Sequence, residues 1–130
     1  MHTYFLKLLF TAAALLALVA CQQNGAKSKT QTVTIHQDNA PAWLMQKVAE
    51  FQAAEPANPP VKIYRYQYQN QQVYYITGRS GDIPSELYTT DGKQLCQPDG
   101  GITGRGDGRC PDFVETRTAE TLIWEDTRSR

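Results

Sequence analysis

Residues 96–110, Cys-Gln-Pro-Asp-Gly-Gly-Ile-Thr-Gly-Arg-Gly-Asp-Gly-Arg-Cys, gather more groups capable of chemistry than any other stretch of the chain. Asp99 and Asp107 offer hard carboxylate oxygens, with Asp91 and Asp112 just outside, and such groups ligate calcium together with backbone carbonyls. Asp99 and Asp107 are therefore the calcium candidates. Against calcium, the spacing is not that of an EF-hand loop, and a Gly-Gly-x-Gly-x-Asp repeat breaks at Thr103. Arg105 and Arg109 also set positive charge among the acids, and with the glycine amides they can gather an anion. Arg105-Gly106-Asp107 spells an integrin-type tripeptide, for which chance is the simpler source. The plain structural reading is a tightly turned surface loop. Its glycines take positive φ, while Arg105 and Asp107 bond to the surrounding backbone.

Other catalytic groupings are missing from the sequence. The two histidines are His2 and His36, and neither has an acid placed to make it a base. There is no Gly-x-Ser-x-Gly elbow, no His-Glu-x-x-His helix and no Cys-x-x-Cys pair, and zinc lacks a ligand set. Asp99, Asp107, Asp112 and Glu115 are the nearest thing to a hydrolytic carboxylate pair, but nothing in their spacing marks them. The expectation is no catalytic residue and no enzyme. Tyr64, Tyr66 and Tyr68 share one face of a predicted strand, with Tyr74, Tyr75 and Tyr88 on neighbouring strands. Such a strip can bind a sugar or a peptide, or it can be the sheet's own packing face, which strand tyrosines favour.

The start of the chain fixes a compartment. Met1–Lys7 is weakly basic, and Leu8–Ala20 is apolar or small throughout except Thr11, which fits a signal peptide and is shorter than the ~20 residues a spanning helix needs. Leu18-Val19-Ala20-Cys21 then resembles the lipobox of bacterial lipoproteins. In that class the cysteine thiol carries diacylglycerol, the signal is cut before it, and the new amine is acylated, typically with palmitate. The resemblance implies that Cys21 is the lipidated residue and that the membrane is a partner through it. One acyl chain holds a protein marginally, whereas two give stable attachment. The chain has three cysteines, an odd number, and assigning Cys21 to lipid leaves Cys96 and Cys110 to pair. A cystine there would remove about 3 kcal/mol worth of unfolded-state freedom. Gln22 follows the cysteine where Asp is the alternative, which resembles the outer-membrane signal of Gram-negative lipoproteins.

Cleavage would remove Lys7 alone among charged residues, leaving one fewer basic residue than the 13 acidic ones. A nearly neutral chain without a concentrated basic face argues against nucleic acid. Residues 21–34 are polar and low in apolar groups, as expected of a flexible tether. Residues 35–130 are long enough for one small domain.

The elements that must position these groups follow from periodicity. Asp38-Asn39-Ala40-Pro41 supplies cap-type residues before Leu44, Val48 and Phe51, spaced as one helix face with Trp43 and Ala54 beside it. Pro56 stops that helix. Val61–Tyr68 and Val73–Thr77 are rich in β-branched and aromatic residues, and Gln69–Gln72 between them reads as a hairpin loop. Glu86–Thr89 and Gln94–Gln97 form a second hairpin across Thr90-Asp91-Gly92-Lys93. Pro111-Asp112-Phe113 opens a short helix, and Leu122-Ile123-Trp124 adds a last strand. The predicted fold is α+β: one N-terminal helix packed on a small antiparallel sheet of hairpins, with a disulfide-closed Gly/Asp-rich loop.

Leu87-Tyr88 through Leu95-Cys96, then Pro98-Asp-Gly-Gly-Ile-Thr-Gly-Arg-Gly-Asp-Gly-Arg-Cys-Pro-Asp-Phe113, resembles an uncharacterised family of small bacterial lipoproteins, a domain of unknown function. The similarity reaches back to Trp43 and Val73-Tyr-Tyr75 and forward to Ile123-Trp-Glu-Asp126. Some members carry adjacent cysteines where this chain has Ser80-Gly81, so a function resting on those cysteines does not carry over. The functional expectation is a non-catalytic, lipid-anchored module of the cell envelope. It would bind an envelope protein or glycan through Asp99, Arg105 and Asp107 or through Tyr64, Tyr66 and Tyr68. The alternative is a periplasmic hydrolase or enzyme inhibitor acting through the Asp/Gly-rich loop, with calcium as its cofactor.

Overall fold

The computed structural model describes residues 39–128. In chain order these form α1 (Ala42–Ala53), β1 (Lys62–Tyr68), β2 (Gln71–Ile76), β3 (Glu86–Thr89), β4 (Gln94–Cys96), α2 (Phe113–Thr116) and β5 (Thr118–Glu125). The five strands make one antiparallel sheet in the order β4-β3-β2-β1-β5. Cys96 and Cys110 are joined as a disulfide. The architecture is α+β, and Cys21, the signal region and the tether lie outside the described residues.

Strand alternation sends successive side chains to opposite faces, and each face of the sheet has its own core. On one side Ile63, Tyr74, Ile76 and Tyr88 meet Leu44 and Val48 of α1, together with Val61, Ile123 and Trp124. On the other, Tyr66, Tyr68, Val73, Tyr75 and Leu87 meet Cys96, Cys110 and Phe113. The helix thus covers one face, and the cystine segment with α2 covers the other. Tyr74 and Tyr88 fall on the helix side, so they do not extend the strip of Tyr64, Tyr66 and Tyr68.

β5 serves the helix side with two consecutive residues. Ile63 pairs with Trp124 but Tyr64 with Leu122, so Ile123 is the extra residue of a bulge, and Ile123 and Trp124 both enter the core under α1. Trp124 stacks on Phe51 at 6.0 Å and 14°.

Several boundaries differ from the sequence expectation. The first hairpin turns on Gln69 and Asn70 alone, with φ of 49° and 59°, and Gln71 and Gln72 already belong to β2. That is the positive-φ pair of a two-residue loop matching strand twist. β5 starts at Thr118, four residues before the expected strand: Thr118–Thr121 is largely exposed at the sheet edge and lacks large apolar residues, so pairing with β1 extends it without an apolar alternation. Helix α1 takes Pro41 as its N-cap without a side-chain bond, so Asn39 is no cap; the Pro41 carbonyl accepts from the amides of Leu44 and Met45.

The β3–β4 turn is pinned from the helix. Trp43 donates its indole N–H to the Thr90 carbonyl at 2.9 Å. Gly92 has φ of 85°, and a Cβ there would lie 2.9 Å from the Trp43 ring. Only glycine satisfies both conditions.

Candidate functional site

The sheet face opposite α1 is built around Phe113. This first residue of α2 is fully buried and stands edge-on to Tyr66 and Tyr68 at 5.6 and 5.3 Å, and stacked on Tyr75 at 5.5 Å. The pairing Tyr64↔Tyr75 and Tyr66↔Val73 lines these rings up across β1 and β2. Arg117, at the end of α2, sets its guanidinium 4.7 Å from the Tyr66 ring centre, 5.1 Å from Phe113 and 5.6 Å from Tyr75. A cation over several aromatic faces closes that face by electrostatic attraction to the rings. Tyr66 and Tyr68 are each 3% exposed, so their rings are packing material, and only half-buried Tyr64 of the three shows surface.

Four of the five buried tyrosines donate their hydroxyl to a carboxylate, and the fifth, Tyr74, accepts from the Gln72 side-chain amide. Tyr66 reaches Glu120 at 2.5 Å, Tyr68 reaches Asp112 at 2.7 Å, and Tyr75 reaches Asp99 at 2.7 Å. On the helix side Tyr88 does the same with Glu86 at 2.8 Å. Burial first, and then the carboxylate partner, push the Tyr68 and Tyr75 hydroxyls up to about 12, and raise Tyr66 and Tyr88 as well.

Two aspartates hold the cystine segment. Asp99 accepts from the Tyr75 hydroxyl and from the hydroxyl of buried Ser85 at 2.6 Å, while its carbonyl accepts from the Ser85 amide at 3.1 Å. The segment is thereby tied to β2 and to the entry of β3. Asp107 turns inward instead. Its carboxylate accepts from the amides of Gln97 and Arg109, both at 3.0 Å, and pairs with the Arg109 guanidinium at 3.0 Å. Burial opposes ionisation of Asp107, but those amides and the guanidinium outweigh it and hold its carboxyl below the usual range. Arg109 also donates to the Leu95 carbonyl. Between them, Gly106 has φ of 60°, and a Cβ there would sit 1.7 Å from the Gln97 carbonyl oxygen.

These bonds decide what the loop can do chemically. The oxygens of Asp99 and Asp107 already face hydroxyl and amide donors, the arrangement of a loop clamp, and that is a poor fit to a cation's ligand shell. Among the described residues no three His, Cys, Asp or Glu side chains gather as a metal site. Asp112 is bonded to Tyr68, and Glu115 is exposed on α2. Within Arg105-Gly106-Asp107, the aspartate is spent on the loop's own backbone, and Arg105 is exposed.

What the frame presents is its tip. Ile102, Thr103, Gly104 and Arg105 are exposed, and Ile102 is 96% so. The amide of Gly104 bonds to the Gly101 carbonyl and that of Gly106 to the Gly100 carbonyl, both at 3.1 Å, so the tip is itself folded. Sequence reasoning placed Asp99, Arg105 and Asp107 in this region. It missed Ile102 at the apex, Ser85 and Glu120 as hydrogen-bond partners, and Arg117 over the rings. Only Ile102 carried a local signal: a large apolar residue between glycines in an otherwise polar stretch.

Comparison with known sequences adds one result. The sequence profile of a domain of unknown function, DUF6970, matches residues 49–126. No curated protein and no solved structure matches the chain. The matched range covers more than half of the chain, including every strand and the cystine segment, so the chain belongs to the DUF6970 family.

Proposed function

We propose that this protein is a lipid-anchored component of the bacterial cell envelope that binds another envelope protein or glycan non-catalytically through the tip of its cystine loop. In this reading residues 1–20 are a cleaved signal, Cys21 carries the lipid, and residues 21–34 tether the domain to the membrane, the outer one in a Gram-negative cell. The observation that carries the proposal is the contrast within residues 96–110. A disulfide, Asp99 and Asp107 lock the frame, while Ile102 at the apex is 96% exposed. A preordered loop loses little conformational entropy on binding, and an apolar apex gains from being covered.

Two measurements test it. Cells fed labelled palmitate should label the wild type and not Cys21→Ser, and the variant should leave the membrane fraction. Affinity recovery of the lipidated protein from crosslinked cells should yield one specific partner, which Ile102→Asp loses while the domain keeps its melting temperature. If Ile102→Asp recovers the same partner in the same amount, the loop tip is not the binding element.

A further inference from the structure

A second surface lies away from the cystine loop. The last turns of α1, the end of β2 and the connection into β3 enclose a cleft of about 200 Å³. Its floor is apolar, from Phe51 and Ile76, with half-exposed Ile83 at one side. Lys47, Arg79 and Glu86 supply the charges around it. Pockets for drug-sized ligands run to roughly 300–1,000 Å³, so this one admits a small molecule or the end of a chain.

The two cations each lie beside an aromatic ring. The Lys47 ammonium lies 5.3 Å from the Tyr88 ring centre, and the Arg79 guanidinium lies 6.0 Å from that of Phe51. Arg79 donates one N–H to the Glu55 carbonyl at 3.1 Å. Among the described residues neither cation forms a salt bridge. Glu86, the one acid lining the cleft, accepts from the Tyr88 hydroxyl. The cleft therefore offers an apolar seat beside two positive groups and one negative group, a net positive rim.

We propose that this cleft binds the terminal carboxylate of a small apolar residue, with Lys47 and Arg79 holding the carboxylate and Phe51, Ile76 and Ile83 seating the side chain. Two sources carry that chemistry. A free amino acid would also place its ammonium against Glu86, whereas a peptide C terminus would bring an amide there.

The test is a titration of the full chain in detergent, labelled at isoleucine methyls, with leucine, N-acetyl-leucine and leucinamide. The Ile76 and Ile83 methyls should shift with at least one of the two carboxylates, at a Kd of the order of 1 mM for so small a ligand, while Ile63 and Ile102 stay still. Leucinamide should bind at least tenfold more weakly. Leucine ahead of N-acetyl-leucine would identify the free amino acid; the reverse or equality would identify a peptide end. Lys47→Met should weaken binding about tenfold with little change in melting temperature, since methionine keeps an apolar stem beside the Tyr88 ring and removes the charge. The proposal is overturned if leucinamide shifts the same methyls equally well, if Lys47→Met binds as the wild type does, or if no probe shifts them up to about 20 mM.

Discussion

Asp99 joins three parts of the molecule with one side chain: the cystine segment that carries it, Tyr75 on β2, and Ser85 before β3. Removing the shared carboxylate takes the acceptor from the Tyr75 hydroxyl and leaves Ser85 only its longer bond to the Asp99 carbonyl at 3.3 Å; an unmet buried hydroxyl costs about 1–3 kcal/mol. Asp99→Ala should therefore lower unfolding stability by about 1–3 kcal/mol in urea titrations, and Ser85 and Tyr75 should show non-additive losses in double-mutant cycles with it. The tyrosines make a second prediction. Folding holds the Tyr68 and Tyr75 hydroxyls protonated up to about 12, whereas an unfolded tyrosine ionises near 10. A raised pKa contributes stability that is complete below pH 10 and is lost as pH rises through 12. Absorbance at 295 nm should show these tyrosines ionising late and together with unfolding; independent ionisation near pH 10 in the folded protein would contradict their burial. The sequence marked Asp99 as a ligand, and Asp107 as either a ligand or a brace of the loop's own backbone, the second of which the structure shows. For Asp99 the partners explain why: Ser85 and Tyr75 stand 14 and 24 residues away from it, beyond the reach of any local pattern.

At the scale of elements, α1 and the strands were legible because their signals are local. Leu44 and Val48 are buried at the spacing that marks one helix face, and Tyr66 and Tyr68 alternate as a half-covered strand requires. The first hairpin loop was read too long because positive φ at Gln69 and Asn70 is imposed by strand pairing and announced by no glycine. The end of α1 was legible from Pro56, but the group that satisfies its last carbonyls was not. Arg128, 76 residues past Gln52, donates to the carbonyls of Phe51, Gln52 and Ala54 at 2.8, 2.7 and 3.1 Å, and pairs with buried Asp126 at 2.7 Å. It satisfies the orphan carbonyls of a helix whose last turn has no basic residue of its own. The hydrogen bond from Arg128 holds the Asp126 carboxyl below its ordinary 3.8. A depressed carboxyl contributes stability above that value, lost as pH falls through the lower folded one. Arg128→Ala should lower the melting temperature at pH 7 by roughly 5 °C or more and flatten its fall with acid; an unchanged acid profile would separate Asp126 from Arg128.

For the whole molecule, a sheet of five strands carries a helix on one face and a stapled loop on the other, and the staple closes a core as well as a loop. Cys96 and Cys110 pack beside Phe113, Tyr66 and Tyr75. Replacing both cysteines by alanine should cost about 3 kcal/mol from unfolded-state freedom alone, read as a lower urea midpoint. The more telling consequence is expected at the tip, where the Gly106 amide bonds to the Gly100 carbonyl below an exposed Ile102 and the open frame should lose that order. The most direct test of the central claim is position-resolved photo-crosslinking in cells, with the reactive group placed in turn at Ile102, at Gln46 on the exposed side of α1, and at Ile102 in the Cys96→Ala/Cys110→Ala background. A discrete adduct from Ile102 that is absent from Gln46 and lost without the disulfide is the predicted result. Equal adducts from Ile102 and Gln46, or an Ile102 adduct indifferent to the disulfide, would contradict a preordered loop tip as the binding element.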